Sequence, residues 1–327
     1  MHGKRSIAPD FARGLMLALI AVANVPYFVL HRPHGVGAHA AEGSRLDRVA
    51  QTLGIIGIDS RIYPMFAFLF GYGIVQMYAR QLASGAQPQE VYRILRRRHW
   101  WMITFGFVHA ALLWFGDILG AYGIAGLLLV WLFLDRSDRT LKIWIGIFLT
   151  IPTLLTVSSL TAGILGWSAP PSTNAGAAAG PEKINETAGF VDAVLGRIEG
   201  WTVYVLPASL LGFIILPAIV LGMLAARHKV LDQPAKHIAL LKRAAWIGIS
   251  IAVATGAPLA LLNAGFLGIP RDQNWILLPL HTLGGLAGGL GYVAVFGLVA
   301  VYLGRKQNNE QRTGSFAWAV QSLGNDR

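Results

Sequence analysis

An all-α, polytopic integral membrane fold is predicted by three observations. The 327 residues are 54% hydrophobic and 13% charged, with a mean hydropathy of +0.54, roughly half the charge of an average soluble chain. Apolar runs recur at 14–30, 62–78, 100–115, 119–134, 143–165, 201–225, 245–263 and 276–303, each near the ~20 helical residues that cross roughly 30 Å of hydrocarbon. Basic residues fall in alternate loops: segments 1–13, 79–99, 135–142, 226–243 and 304–327 hold 20 of the 27 Lys and Arg. By the positive-inside rule these segments, with the N-terminus, face the cytoplasm, and about eight transmembrane helices follow. The net charge of +11 is thus topological, and it argues against nucleic acid as a partner. The chain has no Cys, and its nine His show neither HxxxH nor HExxH spacing, so no metal site is expected.

The first dozen residues are polar, and the apolar run after them lacks a small-residue cleavage site, so it reads as an uncleaved first span. Asp10 and Arg13, three residues apart at its inner end, share a helix face and can pair, or serve as an N-terminal helix charge and a topogenic arginine. Asn24 follows eleven residues after Arg13, about 16 Å along the helix and on a similar face. Its amide can donate to an oxyanion or bond a neighbouring helix.

The outer loop 31–60 carries His31, His34, His39, Glu42, Arg45, Asp47, Arg48 and Asp59, a mixture too charged to be buried alone. On the cytoplasmic side after the second span, Arg93, Arg96, Arg97, Arg98 and His99 form the strongest charge run. Anchoring and anionic-lipid contact account for it, and a phosphate site is compatible with it.

Residues 99–134 form an apolar hairpin interrupted by His109 and Asp117. Two crossings need about 40 residues and the run supplies about 35, so the turn at Asp117 should be sunk below the surface. Ionisable groups at that depth are costly and mark a functional site. In a regular helix His109 and Asp117 would lie about 12 Å apart along the axis, too far for a direct bond. His109 then acts as a general base or stays neutral on a backbone carbonyl.

The second outer loop opens with the low-complexity stretch SAPPSTNAGAAAG and then places Ile184, Phe190, Val191, Val194, Leu195 and Ile198 at helical spacing. An amphipathic interfacial helix, or a lid, is predicted there. Pro152, Pro207, Pro217, Pro258 and Pro279 lie in or beside spans, where they kink helices. In LGGLAGGLG, Gly284/Gly288 and Gly285/Gly289 repeat every four residues and should pack helices closely; such faces also permit a homodimer. His281 is a weaker polar site. The apolar tail around Phe316–Leu323 should lie along the inner interface or begin another helix. Three parts result: bundle 1–165, outer loop 166–200, and helices with inner tail 201–327.

Asp10, Arg13, Gly14 and Asn24 in APDFARGLMLALIAVANV resemble the DxxRG…N opening of the YeiB-like bacterial inner-membrane proteins. Gly106, His109, Gly116, Asp117, Ile118, Leu119, Tyr122 and Gly123 are similar to that family's Gly-x-x-His and Gly-Asp-Ile-Leu-x-x-Tyr-Gly pattern, and IDSRIYPMFAFLFGYG adds Pro64, Phe66, Phe68, Phe70 and Gly71. YeiB-like proteins continue past a Gly-x-Arg-x-x-Leu-Thr-x-Tyr stretch that SLGNDR only begins, so the resemblance implies a shortened C-terminus. The first helix also resembles that of acyltransferase family three and of heparan-α-glucosaminide N-acetyltransferase. Asn24 stands where family three has its His; the heparan enzyme, also with Asn there, points instead to His34 or His31.

The resemblance implies a membrane-bound acyltransferase moving an acyl group from cytoplasmic acyl-CoA, a co-substrate and not a tightly bound cofactor, to a hydroxyl or amine on a glycan, lipid or small molecule. The first four helices would enclose one polar cavity. His109 or His34 would take the acceptor proton and Asn24 would stabilise the oxyanion. Arg13, with Arg96 and Arg97, would hold the donor, and Asp10, Asp59, Asp117 and Tyr122 would contact substrate. The other reading is a transporter or flippase-like lipid-binding protein using the same polar groups without covalent chemistry. Membrane lipids are partners in both.

Overall fold

The computed structural model describes residues 18–28, 43–167, 189–211 and 214–324, with Gly14, Val36 and His39. The described residues are helical and contain no strand. In chain order the helices are α1 (Ala18–Tyr27), α2 (Arg45–Gly57), α3 (Ile62–Ala83), α4 (Pro88–Leu112), α5 (Leu119–Phe133) and α6 (Asp138–Ile164). Then come α7 (Phe190–Gly200), α8 (Leu206–Leu211), α9 (Ile215–Arg227), α10 (Ile238–Asn263) and α11 (Leu278–Gly324). A π-helical stretch, Trp201–Val205, joins α7 to α8.

Local chemistry sets several starts. Ser44 and Asp47 form a reciprocal capping box on α2, Gln87 and Glu90 do the same on α4 behind Pro88, and the Ser137 hydroxyl accepts the Thr140 N–H at the start of α6. Each satisfies backbone donors that the first helical turn leaves unpaired.

Four stretches are long and apolar enough to cross a bilayer: Arg45–Ala83, Asp138–Ile164, Pro234–Asn263 and Leu278–Arg305. The pair Phe190–Leu210 and Ile215–Arg227, bent by 49°, adds a fifth if counted as one span. The sequence reading of about eight spans is therefore met only in part, and the shortfall has a physical reason. The hairpin helices divide their apolar residues unevenly: α4 spends its first half on Arg93–Arg98, and the 15 residues of α5 reach only about 22 Å. Large apolar side chains such as Trp100, Trp131, Trp246 and Phe266 point outward, as lipid-facing residues do. The architecture is that of a membrane protein.

The core is built on α3, whose residues Ile62, Met65, Leu69, Tyr72 and Ile74 are fully enclosed. It packs on α9 with backbones in contact: a Cβ at Gly71 would overlap the Ile219 carbonyl, and one at Gly222 the Phe68 carbonyl. This is small-residue packing, as expected where the apolar effect cannot drive helices together. The glycines of 284–289 serve the same purpose. Gly284 and Gly288 admit Thr255 and Ala252 of α10, while Gly285 and Gly289 admit the backbone of Ser60 and Arg61. At the chain end the backbone of α11 stays helical to Gly324, so the tail extends the last helix without turning away.

Candidate functional site: two cavities along one helix

The α4–α5 hairpin brings His109 and Asp117 together. The α4 helix stops at Leu112, the chain turns through Leu113–Ile118, and His109 Nδ1 lies 2.9 Å from Asp117 Oδ2. The contact is at ion-pair distance but off the line of an aligned hydrogen bond. The 12 Å expected for a regular helix is thus corrected, because the helix is broken between the two residues. The Asp117 Oδ1 accepts the Gly120 N–H at 2.9 Å, and its carbonyl accepts the Trp201 indole N–H at 2.9 Å. Arg197 of α7 donates to the Ala111 carbonyl at 2.8 Å, so the predicted amphipathic helix clasps this hairpin while Phe190, Val191 and Leu195 remain exposed.

A cavity of about 430 Å³ opens beside the hairpin, lined by Asn24, Tyr27, Ser60, Tyr63, Ser209 and Thr282 among its polar residues. Gly116 and Ile118 reach it, as do Tyr204 and Val205 of the π-helical stretch, a geometry that recurs at functional sites. Asn24 donates to the Ile20 carbonyl at 2.8 Å, and its Oδ1 lies 3.5 Å from the Tyr63 hydroxyl.

Behind this cavity is a polar corner whose centre, Arg61, the sequence reading missed. Between α2 and α3 the chain turns at Ser60 with φ of 60°, a left-handed conformation costly for a residue with a Cβ and frequent where function demands it. The turn drives Arg61 inward until it is 0% exposed. Its guanidinium donates to the carbonyls of Asp59 and Ala252, and Nη1 lies within 3.0 Å of both ring nitrogens of His281, donating to the one that carries the lone pair. Asp59 binds His39, Oδ2 to Nε2, at 2.6 Å, and its charge reaches Tyr27 and Tyr63 in the cavity wall. At the head of the apolar run IYPMFAFLF, Arg61 looks like an ordinary span-end anchor. Only the broken helix turns it inward.

A second cavity, about 520 Å³, runs along α3 and is lined by Phe66, Leu69, Phe70, Gly73, Gln76, Met77, Arg80, Gln81 and Arg98. Among the described residues, then, the polar space expected as one cavity is divided between this cavity and the first. They are divided by Tyr122, fully buried, whose ring packs edge-on against Phe66 and Phe70 and whose hydroxyl donates to the Tyr63 carbonyl at 3.0 Å.

Of the residues expected from sequence, Asn24 lines the first cavity, Tyr122 forms the partition, and Asp59 stands behind the wall. Asp117 is 5% exposed and turns toward His109, which lies outside both linings with its side chain 42% exposed. Arg96 and Arg97 are exposed on α4 and line neither cavity; Arg98 does. Asp10, Arg13 and His34 lie outside the described residues.

Residues 225–319, which include α10 and His281, match the family model named Protein of unknown function (DUF418). The chain is 30% identical over 209 residues to the uncharacterised protein YxaH of Bacillus subtilis (strain 168), covering 60% of this chain and 50% of YxaH. It is 29% identical over 127 residues to the uncharacterised protein YeiB of Escherichia coli (strain K12), covering 38% of this chain and 30% of YeiB. The chain is thus similar to the uncharacterised YeiB-like proteins, as the sequence motifs implied. These alignments span half or less of the relatives' own length. No solved structure matches the chain.

Proposed function

We propose that the chain is a multi-pass acyltransferase of the bacterial inner membrane, moving an acyl group from a cytoplasmic thioester to a hydroxyl or amine on a glycan, lipid or small molecule. One observation carries this reading: the two cavities lie on either side of Tyr122 along α3, Phe66 bounding one and Tyr63 and Pro64 the other. A donor lying in the arginine-lined cavity would present its reactive end within about one helical turn, roughly 5 Å, of the acceptor cavity. The proposed topology has eight spans, with α1, α4 and α5 completing the set and the N-terminus inside, so that Arg80 and Arg98 face the cytoplasm.

In the reaction the acceptor oxygen or nitrogen attacks the thioester carbonyl carbon. A C–O or C–N bond forms, the C–S bond breaks, and the thiolate leaves to be protonated by the proton that the acceptor gave up. His109 or His34 carries that proton. The Asn24 amide donates to the developing oxyanion.

The test supplies the purified chain in lipid with radiolabelled acetyl coenzyme A and an extract of envelope glycans and lipids. Label should pass to an acceptor, and Asn24→Ala and one of His109→Ala and His34→Ala should each slow transfer by about 100-fold; full transfer in both histidine variants would overturn the base assignment. The Tyr122–Phe66 partition between two vestibules also suits a carrier in its closed state. Absence of transfer together with specific substrate flux in vesicles selects that second reading.

A further inference from the structure

We infer that the cavity beside the α4–α5 hairpin is a binding site for a sugar ring, whose hydroxyls meet those of the lining and whose C–H face lies on its tyrosines. This deepens the transfer reading at its acceptor end, but it requires only binding.

Five hydroxyls converge on the space from different parts of the chain. Tyr27 comes from α1, Ser60 from the α2–α3 corner, Tyr204 from the π-helical stretch, Ser209 from α8 and Thr282 from α11. In a helix surrounded by hydrocarbon a Ser or Thr hydroxyl commonly turns back on the carbonyl one turn earlier. Thr104, Thr150 and Thr255 do so, at 3.1, 3.0 and 2.8 Å. Ser209 and Thr282 do not, and none of the five hydroxyls has a hydrogen-bond partner among the described residues. Against a hydrocarbon tail they would stay unpaired, which is costly. A ligand that both donates and accepts suits them.

The rest of the wall narrows the class. Tyr27, Tyr63 and Tyr204 reach the cavity from three elements, with Phe115 beside them. Tyrosine offers a flat apolar face and a polar tip. A sugar ring carries the complement, C–H groups across its face and hydroxyls around its edge, each hydroxyl a donor and an acceptor. The Tyr27 ring stands edge-on to Trp114 with centroids 6.1 Å apart, so its orientation is set before a ligand enters and less freedom is lost on binding. A phosphate head group would call for Arg or Lys, and an ammonium group for a carboxylate; among the described residues the lining has neither. The volume, about 430 Å³, falls within the roughly 300–1,000 Å³ of small-molecule sites.

The full chain in phosphatidylcholine nanodiscs would be titrated with glucose, galactose and N-acetylglucosamine, and with phosphocholine and ethanolamine as charged comparators, binding being read by saturation-transfer NMR. At least one of the sugars should bind saturably. Tyr27→Phe/Thr282→Val removes two hydroxyls while keeping both shapes, and should weaken that sugar by about tenfold or more. Thr202→Val, whose hydroxyl bonds Ile198 and Glu199 of its own helix and lies outside the lining, should leave binding unchanged. Should the double variant fold poorly, Tyr27→Phe alone, at an exposed side chain, should still weaken binding by about threefold.

Four results would overturn the site: no saturable binding of any of the three sugars, binding unchanged in the cavity variants, equal weakening by Thr202→Val, or tighter binding of phosphocholine or ethanolamine than of every sugar. Sugar binding without label transfer to any acceptor keeps the site and removes the transfer reading. Transfer undiminished in Tyr27→Phe/Thr282→Val keeps transfer and removes the site.

Discussion

His109 and Asp117 are eight positions apart in the chain and 2.9 Å apart in space, because the helix that carries the imidazole ends before it reaches the carboxylate. Asp117 also takes the Gly120 N–H on its side chain and the Trp201 N–H on its carbonyl. It therefore joins the two hairpin helices to the segment that follows α7.

Asp117→Ala removes the buried carboxylate and leaves the first turn of α5 without its side-chain acceptor. A loss of about 2 kcal/mol is expected, read as a lower thermal midpoint of the detergent-solubilised chain. Asp117→Asn keeps an acceptor for Gly120 and should lose about half as much. His109→Ala, at a partly exposed position, should stay within about 1 kcal/mol of wild type. An Asp117→Ala protein melting with wild type would show that the hairpin is held by packing alone.

Arg61 joins the α2–α3 corner to α10 and α11 through Ala252 and His281. Removing a buried cation leaves its acceptors unpaired and a hole among the glycines of α11. Arg61→Ala should cost about 3–5 kcal/mol. Arg61→Lys should recover little, since one ammonium cannot span the separate acceptors reached by Nη1 and Nη2. Denaturation in mixed detergent checks both; equal stability of all three proteins would contradict the clamp.

The absence of cysteine makes sidedness directly readable. In the proposed topology Ser84→Cys, at the exposed end of α3, reacts with a membrane-impermeant maleimide only in opened cells. Gly268→Cys, between α10 and α11 with no atom near its Cβ position, reacts in intact cells. Labelling of both from the same side would overturn the proposed topology.

Much of the architecture was legible in the residues because hydrocarbon imposes a coarse rule, that apolar runs become helices with every backbone group bonded internally. The glycine repeat at 284–289 was read as a packing face, and it is one. The span count was less legible, since a hydropathy run does not reveal where a helix breaks: the stretch around 99–134 divides into a helix with a charged first half and another of 15 residues. Of the candidate site, Asn24 and Tyr122 were found in advance at a cavity wall and a partition. Asp59 was also singled out, but its bond to His39 and the inward turn of Arg61 were not, because no local spacing marks residues that meet only through a corner.

By itself, then, the amino-acid order determined an apolar, helical chain similar to YeiB-like proteins, with its basic residues gathered between apolar runs and its glycines set for close helix contact. Those properties arise from composition and periodicity, which act within a few turns. Tertiary structure alone decided that Arg61 turns inward, that Arg98 and not Arg96 or Arg97 enters a cavity, and that Tyr122 divides two cavities. Each of these depends on a helix break, at Ser60 or at Leu113–Ile118. A break redirects every side chain beyond it, and its direction is set by the helices it packs against.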